Sequence, residues 1–370
     1  MKKMFLSVIT VLLAGSFFSI LTAQEDISNI FKAGVVDMNK VAEGYLNPAG
    51  KSFAVGLGSN WYNTAAVHKT WGFDLTFGVG AVQAPAADQS FSLTGLTNLV
   101  PAVAGTTQAP SFTGSGDGVL LNLMQPQTVN GKANPLYPGV ITSFTTPSGV
   151  SKYVPTASIQ LTIGLPIIND LSIRLVPTVK VKGFEASIWG IGIKHNIKQW
   201  IPVVKDLPFD AALLLAYSKF DMKYAFPAES RITPDNLVSG GSAQYIADPN
   251  SNDYTTQGMK VSAASKTVNL IFSKKISVLT PFIGFGVTQS DFTLNMVGNY
   301  PTLGEPVLSG TTYKMQIKNI TNPINLTPPS ETMTNATLGL RVKLAIITIH
   351  AQYAFQKYPV ASAGFGISFR

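Results

Sequence analysis

Ser362-Ala363-Gly364-Phe365-Gly366-Ile367-Ser368-Phe369-Arg370 brings the chain to its end in strict alternation. Ala361, Ala363, Phe365, Ile367 and Phe369 fall on one side; Ser362, Gly364, Gly366 and Ser368 fall on the other. Successive side chains of a β-strand point to opposite faces, so this is a strand with one oily and one small, polar face. The pattern recurs upstream. Phe73, Leu75, Phe77, Val79 and Ala81 oppose Asp74, Thr76, Gly78 and Gly80, and Ile347, Ile349, Ala351, Tyr353 and Phe355 oppose Thr348, His350, Gln352 and Ala354. Alternation predicts strands at roughly 52–60, 71–83, 154–165, 171–182, 186–196, 209–222, 258–272, 276–296, 332–344, 346–356 and 360–369. Many long strands with little helix fit an all-β transmembrane antiparallel β-barrel, although a large soluble β-sandwich shares the signal.

Composition and the start of the chain favour the barrel. Residues 1–23 have the make-up of a secretory signal peptide: Lys2 and Lys3, an apolar run from Phe5 to Leu21, and Ala23 before Gln24-Glu25-Asp26. No later run is long and apolar enough for a spanning helix. An exported chain of that kind is either soluble or a barrel. Only 12% of the 370 residues are charged while 45% are apolar; a soluble domain carries about twice that charged fraction. The absence of Cys excludes a disulfide framework, a thiolate metal site and a Cys nucleophile. A net charge of +8 suits an anionic neighbour, for which lipopolysaccharide phosphates or an anionic solute are better candidates than nucleic acid.

Ile27, Phe31, Gly34, Met38, Val41 and Tyr45 recur at helical spacing, which predicts a helix over Glu25 to Leu46 stopped by Asn47-Pro48. The chain thus divides into a signal peptide (1–23), an N-terminal helix or plug (24–50) and a barrel (51–370). Counted back from the C-terminus, short links alternate with links that include three long ones, 84–153, 223–257 and 297–331. Outer-membrane barrels have short periplasmic turns and long external loops. The links near Gly183 and Lys357-Tyr358 would be low points of the outer rim. An even strand number is expected, so we take about twelve strands, with fourteen as the alternative. The uncharged, Pro/Gly/Ser/Thr-rich 84–153 segment is expected to form a folded external loop that can dip into the pore mouth.

Three resemblances sharpen this. Ser362, Gly364, Ile367 and Phe369 occupy the places of the C-terminal signal of Gram-negative outer-membrane barrels, which implies recognition by the barrel-assembly machinery; Arg370, after the aromatic, departs from it. Asn47-Pro48-Ala49-Gly50 resembles a stretch near the N-terminal hatch of outer-membrane long-chain fatty-acid transporters. The region from Trp189 to Tyr224 is similar to an uncharacterised family of Gram-negative outer-membrane proteins. The likeness to the transporters implies passive uptake of a small hydrophobic or amphipathic, anionic molecule; the other two imply an outer-membrane barrel and no particular substrate. Asn47-Pro48 is equally readable as a plain helix stop.

The lumen candidates follow from the inward faces. Gly56/Gly58, Gly78/Gly80, Gly190/Gly192, Gly284/Gly286 and Gly364/Gly366 are Gly-x-Gly pairs flanked by large apolar residues, so the glycines face inward. They serve either barrel curvature or a smooth wall against a plug or ligand. Arg174, Lys180, Lys182, Arg341 and Lys343 also fall on the inward face, where they either favour anions or pair with the acids of the plug. Trp61, Tyr62, Trp71 and Trp200 suit an interfacial aromatic girdle on the periplasmic side. Nothing selects a catalytic constellation, a metal site or a cofactor: His68, His195 and His350 lie far apart. The alternative function is a non-transporting scaffold for a secretion or surface complex, working through the long loops.

Overall fold

The computed structural model describes residues 34–125, 127–129, 132–133, 138–166, 169–181, 183–200, 202, 206–237, 245–246, 252–310 and 312–369. The expected signal peptide and residues 24–33 lie outside these, as does Lys182. Ten long antiparallel strands close on themselves in sequence order. They are β1 (Phe73–Gln83), β2 (Tyr153–Leu165), β3 (Asn169–Val181), β4 (Phe184–Asn196), β5 (Asp210–Ala225), β6 (Gly258–Ser273), β7 (Leu279–Val297), β8 (Glu331–Leu344), β9 (Ile347–Phe355) and β10 (Val360–Phe369). β10 returns to β1, with Phe73 opposite Phe369 and Val82 opposite Val360. Every strand thus has a partner on both sides, and the closed sheet has no free edge strand.

Towards the short-turn end each strand keeps its oily row outside, whereas towards the long loops β5, β6 and β7 turn Phe220, Met222, Val261, Phe292 and Leu294 inward against α1. Phe365, Leu338 and Ile349 are 60%, 56% and 54% exposed, while the alternate residues Thr348, Ser218 and Ser368 are buried inside. This is the inverse of a soluble protein, in which the oily row would form a dry centre. The short links (166–168, 197–209, 274–278 and 345–346) lie at the end where β1 begins and β10 finishes. The long links 84–152, 226–257 and 298–330 lie at the other end. The 84–152 loop is folded, with Leu120–Met124 pairing Leu99–Pro101 on one side and Val140–Thr145 on the other. Asn299–Ser309 and Thr312–Thr321 form a separate hairpin.

Two expectations are corrected. The count is ten strands, not twelve to fourteen, and the eleventh expected segment, 52–60, is not a strand. It is the end of α1 (Gly34–Leu57), followed by an irregular segment. Phe53, Val55 and Leu57 mimic a strand because they alternate, yet all three are buried on a helix that barrel wall and loops surround. For the same reason Asn47-Pro48 does not stop the helix, and Pro48 sits inside it. An interior proline costs about 3 kcal/mol in an isolated helix; here burial of the helix over residues 45–57 outweighs that cost.

The wall is not uniform. β2 and β3 pair over six residues only, from Asn169/Leu165 to Arg174/Gln160. Beyond that the ladder ends, although both strands continue towards the long-loop end. The β3–β4 register shifts between Val176 and Val179, around Pro177, which has no N–H to offer a neighbour.

Candidate functional site

α1 lies in the lumen and enters from the long-loop end. The buried Asp37 carboxylate accepts the backbone N–H groups of Thr97 (2.9 Å), Asn98 (2.8 Å) and Leu99 (3.1 Å) from the 84–152 loop. Tyr45 packs edge-on against Phe112 of that loop, and its hydroxyl donates to Ser148 O at 3.0 Å. At the rim, the Tyr358 hydroxyl donates to Asp88; burial first, and then this carboxylate, push it above its ordinary value.

The far end of the helix is capped by the wall. Arg174 on β3 donates to Leu57 O at 3.0 Å and Ser59 O at 2.8 Å, and its guanidinium lies 3.8 Å from the centre of the Trp61 ring. A cation at a helix C-terminus satisfies orphan carbonyls and complements the helix dipole. Trp61 is wedged against Gly190 and Gly192, where a Cβ would come within 3.1 and 2.9 Å of the indole. Gly78 makes room for Asn60 and Gly284 for the Tyr62 hydroxyl in the same way. The segment then descends past Asp170, which accepts from His68 N (2.9 Å) and pairs with Lys194 (2.9 Å). Lys194 also donates to Ala66 O at 2.9 Å.

The lumen therefore has two chambers. On the long-loop side α1 faces apolar wall residues, and Leu46, Ala49, Phe53, Phe112, Val261 and Phe292 line an almost purely apolar cavity. Gly50 brings the helix against the Phe292 ring, where a Cβ would lie 2.3 Å from it. Towards the short-turn end the lining becomes polar, with Asn60, Asp74, Thr76, Gln160, Thr162 and His350 around the descending segment. His350 Nε2 meets Asn60 Oδ1 at 2.8 Å.

The candidates named from sequence scatter over these parts. Asn47 and Pro48 are in α1; Asn47 donates to Glu43 at 3.3 Å, and Pro48 O accepts from Ser52 at 2.8 Å. Gly190 and Gly192 hold the Trp61 wedge. Arg341 pairs with Asp74 (3.5 Å) and donates to Ser368 Oγ (3.3 Å), which Lys343 also reaches at 3.1 Å. Lys180 is not in the lumen: it is on the rim, paired with Glu185 at 3.1 Å. The shift around Pro177 turns Val179 onto the core and its neighbour away from it. The described plug acids are not the cations' partners either, since Asp37 takes loop amides. Trp61 and Tyr62 are buried in the lumen, not in a girdle; Trp71 and Trp200 are 75% and 71% exposed at the short-turn end. Sequence reasoning missed the roles of Asp37, Trp61, Lys194 and Asp170. The inward glycines were the available signal for the wedge.

The fold and site define a closed antiparallel barrel with an oily exterior and a lumen occupied by its own N-terminal helix. The chain belongs to a family of unknown function, DUF6588, whose profile matches residues 1–369. No curated protein matches the chain. Among solved structures it is similar to the translocator domain of autotransporter NalP from Neisseria meningitidis, with 10% identity and a TM-score of 0.27 over 90% of this chain and 98% of that one. It is also similar to Ail, the attachment invasion locus protein of Yersinia pestis, with 6% identity and a TM-score of 0.23 over 81% of this chain and 99% of that one. A mutant of the TodX monoaromatic hydrocarbon channel matches with 8% identity and a TM-score of 0.21 over 81% and 91%.

Proposed function

We propose that this protein spans the outer membrane and takes a small hydrophobic molecule into its lumen for passive uptake. The observation that carries this reading is the apolar cavity between α1 and the wall. A cavity lined by Leu, Val and Phe disfavours water and favours an apolar guest, for which its roughly 30 Å³ must widen as α1 and the wall part. An uncharged ligand fits it better than an anion. Arg174 is committed to the helix end, Lys194 to Asp170 and Arg341 to Asp74, so no cation stands free beside the cavity among the described residues.

The route follows from the two chambers. A hydrophobic ligand meets the cavity first from the long-loop end, and the polar chamber beyond, filled by the latched 58–72 segment, opposes its passage. The open ladder between β2 and β3 borders the end of α1: Gly56, Leu57, Thr156, Ala157, Ser158 and Arg174 line one cavity there. That seam is where the wall yields most easily, towards the membrane itself.

Titration of the purified protein with an uncharged fluorescent hydrophobe, N-phenylnaphthylamine, tests this. Ala49→Phe fills the cavity without adding charge and is expected to weaken binding at least about tenfold, with the fold retained. Equal binding by the variant, or none by the wild type, overturns the proposal.

A further inference from the structure

The outer wall above the oily band carries a row of lysines that the lumen does not use. β5 presents Lys219 and Lys223 outward, and β6 presents Lys260 and Lys266; the residues between them, such as Phe220, Met222, Val261 and Ser265, are buried inside. The register sets Lys223 directly opposite Lys260 and Tyr217 opposite Lys266. Lys219 lies opposite Trp189 on β4. Directly opposed like charges on a sheet face repel.

The neighbouring acids are already engaged. Glu185, opposite Lys223, pairs with Lys180 at 3.1 Å. Asp221 pairs with Lys219 at 3.0 Å and accepts from Ser262 at 2.8 Å. Asp291 on β7 accepts from Ser330. Lys223, Lys260 and Lys266 are exposed and have no acidic partner within ion-pair distance among the described residues.

Below Lys223 and Lys260 the wall turns oily, with Lys219 and Lys266 level with its first aromatics. Trp189 and Tyr217 lie 5.2 Å apart, and Leu215 and Val268 are 49% and 45% exposed. Trp and Tyr gather where hydrocarbon meets water. Lys223 and Lys260 therefore stand at headgroup height, on the side of the long loops.

We propose that Lys223 and Lys260 bind the phosphate of a phosphorylated glycolipid in the outer leaflet, with its acyl chains running down the wall past Trp189, Leu215 and Val268; Lys266, about 20 Å further along β6, is outside this site. Opposed residues on one sheet face have Cβ atoms about 5 Å apart, close enough for one phosphate to bridge two ammonium groups and remove their repulsion. A free phosphate would gain only screened surface contacts, whereas the lipid adds burial of its chains against the oily row. The site rests on the reading that the barrel spans a membrane.

The test uses the full-length barrel in phosphatidylcholine nanodiscs with and without lipid A. Lys223→Gln/Lys260→Gln is compared with Lys274→Gln/Lys275→Gln at the opposite end. The first pair is expected to lose lipid A binding about tenfold or more and the second to keep it, with inorganic phosphate failing to compete. Unchanged binding in the first pair, equal loss in both, displacement by inorganic phosphate, or equally tight binding of phosphatidylglycerol overturns the site alone. A barrel that does not insert overturns the membrane reading and the site with it.

Discussion

Trp61 is held from three directions. The Arg174 guanidinium covers its face at 3.8 Å, Gln160 Nε2 donates to its carbonyl at 3.1 Å, and Gly190 and Gly192 leave the gap into which its ring fits. Glycine weakens a strand, so two of them on one face need a compensating contact; the indole supplies it. Trp61 Nε1 has no hydrogen-bond partner, so the residue is fixed by shape and by the cation rather than by its polar tip. Gly192→Val would place a Cβ at 2.9 Å from the ring and a branched side chain beyond it. The expected cost is about 1–3 kcal/mol, the range for overpacking. Thermal unfolding of the variant should fall, and adding Trp61→Ala should recover part of the loss. If Gly192→Val alone unfolds at the wild-type temperature, the glycines serve strand curvature and not the wedge.

The strands were legible at the scale of the element because the two faces of the wall differ, one an exposed oily exterior and the other a packed lumen, and period-two alternation records that directly. α1 was legible only in part. Its Phe53, Val55 and Leu57 mimic a strand because surroundings bury that end of the helix on every side, and Pro48 reads as a stop unless those surroundings are known. The site was less legible still. Arg174 and Lys194 have carbonyl and carboxylate partners far along the chain, and alternation shows only that they face inward. The turning of Lys180 follows from a one-residue irregularity near Pro177 that reverses parity beyond it. The same irregularity adjoins the short β2–β3 ladder, so the seam is expected to be the wall's least protected part. The amides of Leu175, Val176 and Thr178 on β3, and β2 amides directed at β3, should exchange about 100-fold faster than those of β5 and β6. A cross-link through Ile159→Cys and Leu175→Cys, one register step past Gln160/Arg174, should stop release of a hydrophobe into vesicles until reduced. Uniform protection around the barrel, or undiminished release from the cross-linked form, would remove the seam from the route.

At the scale of the whole molecule, the lumen is a core rather than a pore. Apolar packing around α1 and ion pairs around the descending segment close it at two levels, and the plug is covalently continuous with β1. Separate anchors bear on the two ends: Asp37 on loop amides and Arg174 on helix carbonyls. A closed lumen is also what a non-transporting scaffold would have, so conductance separates the readings only when the plug is loosened. Arg174→Gln removes a cation whose hydrogen bonds go to carbonyl oxygens of the plug and of Gln160, and so leaves no carboxylate buried without its partner. In planar bilayers the wild type is expected to show no steady ionic current. The variant should open intermittently, with an open fraction at least about tenfold higher, because the population of a minor open state rises with each kcal/mol taken from the closed one. Trp61→Ala, which frees the same segment without touching a charge, should do likewise. A wild type that conducts steadily would show that the 58–72 segment does not seal the barrel. Two silent variants whose descending segment is as protease-resistant as the wild type's would place the closure in the apolar chamber around α1 instead.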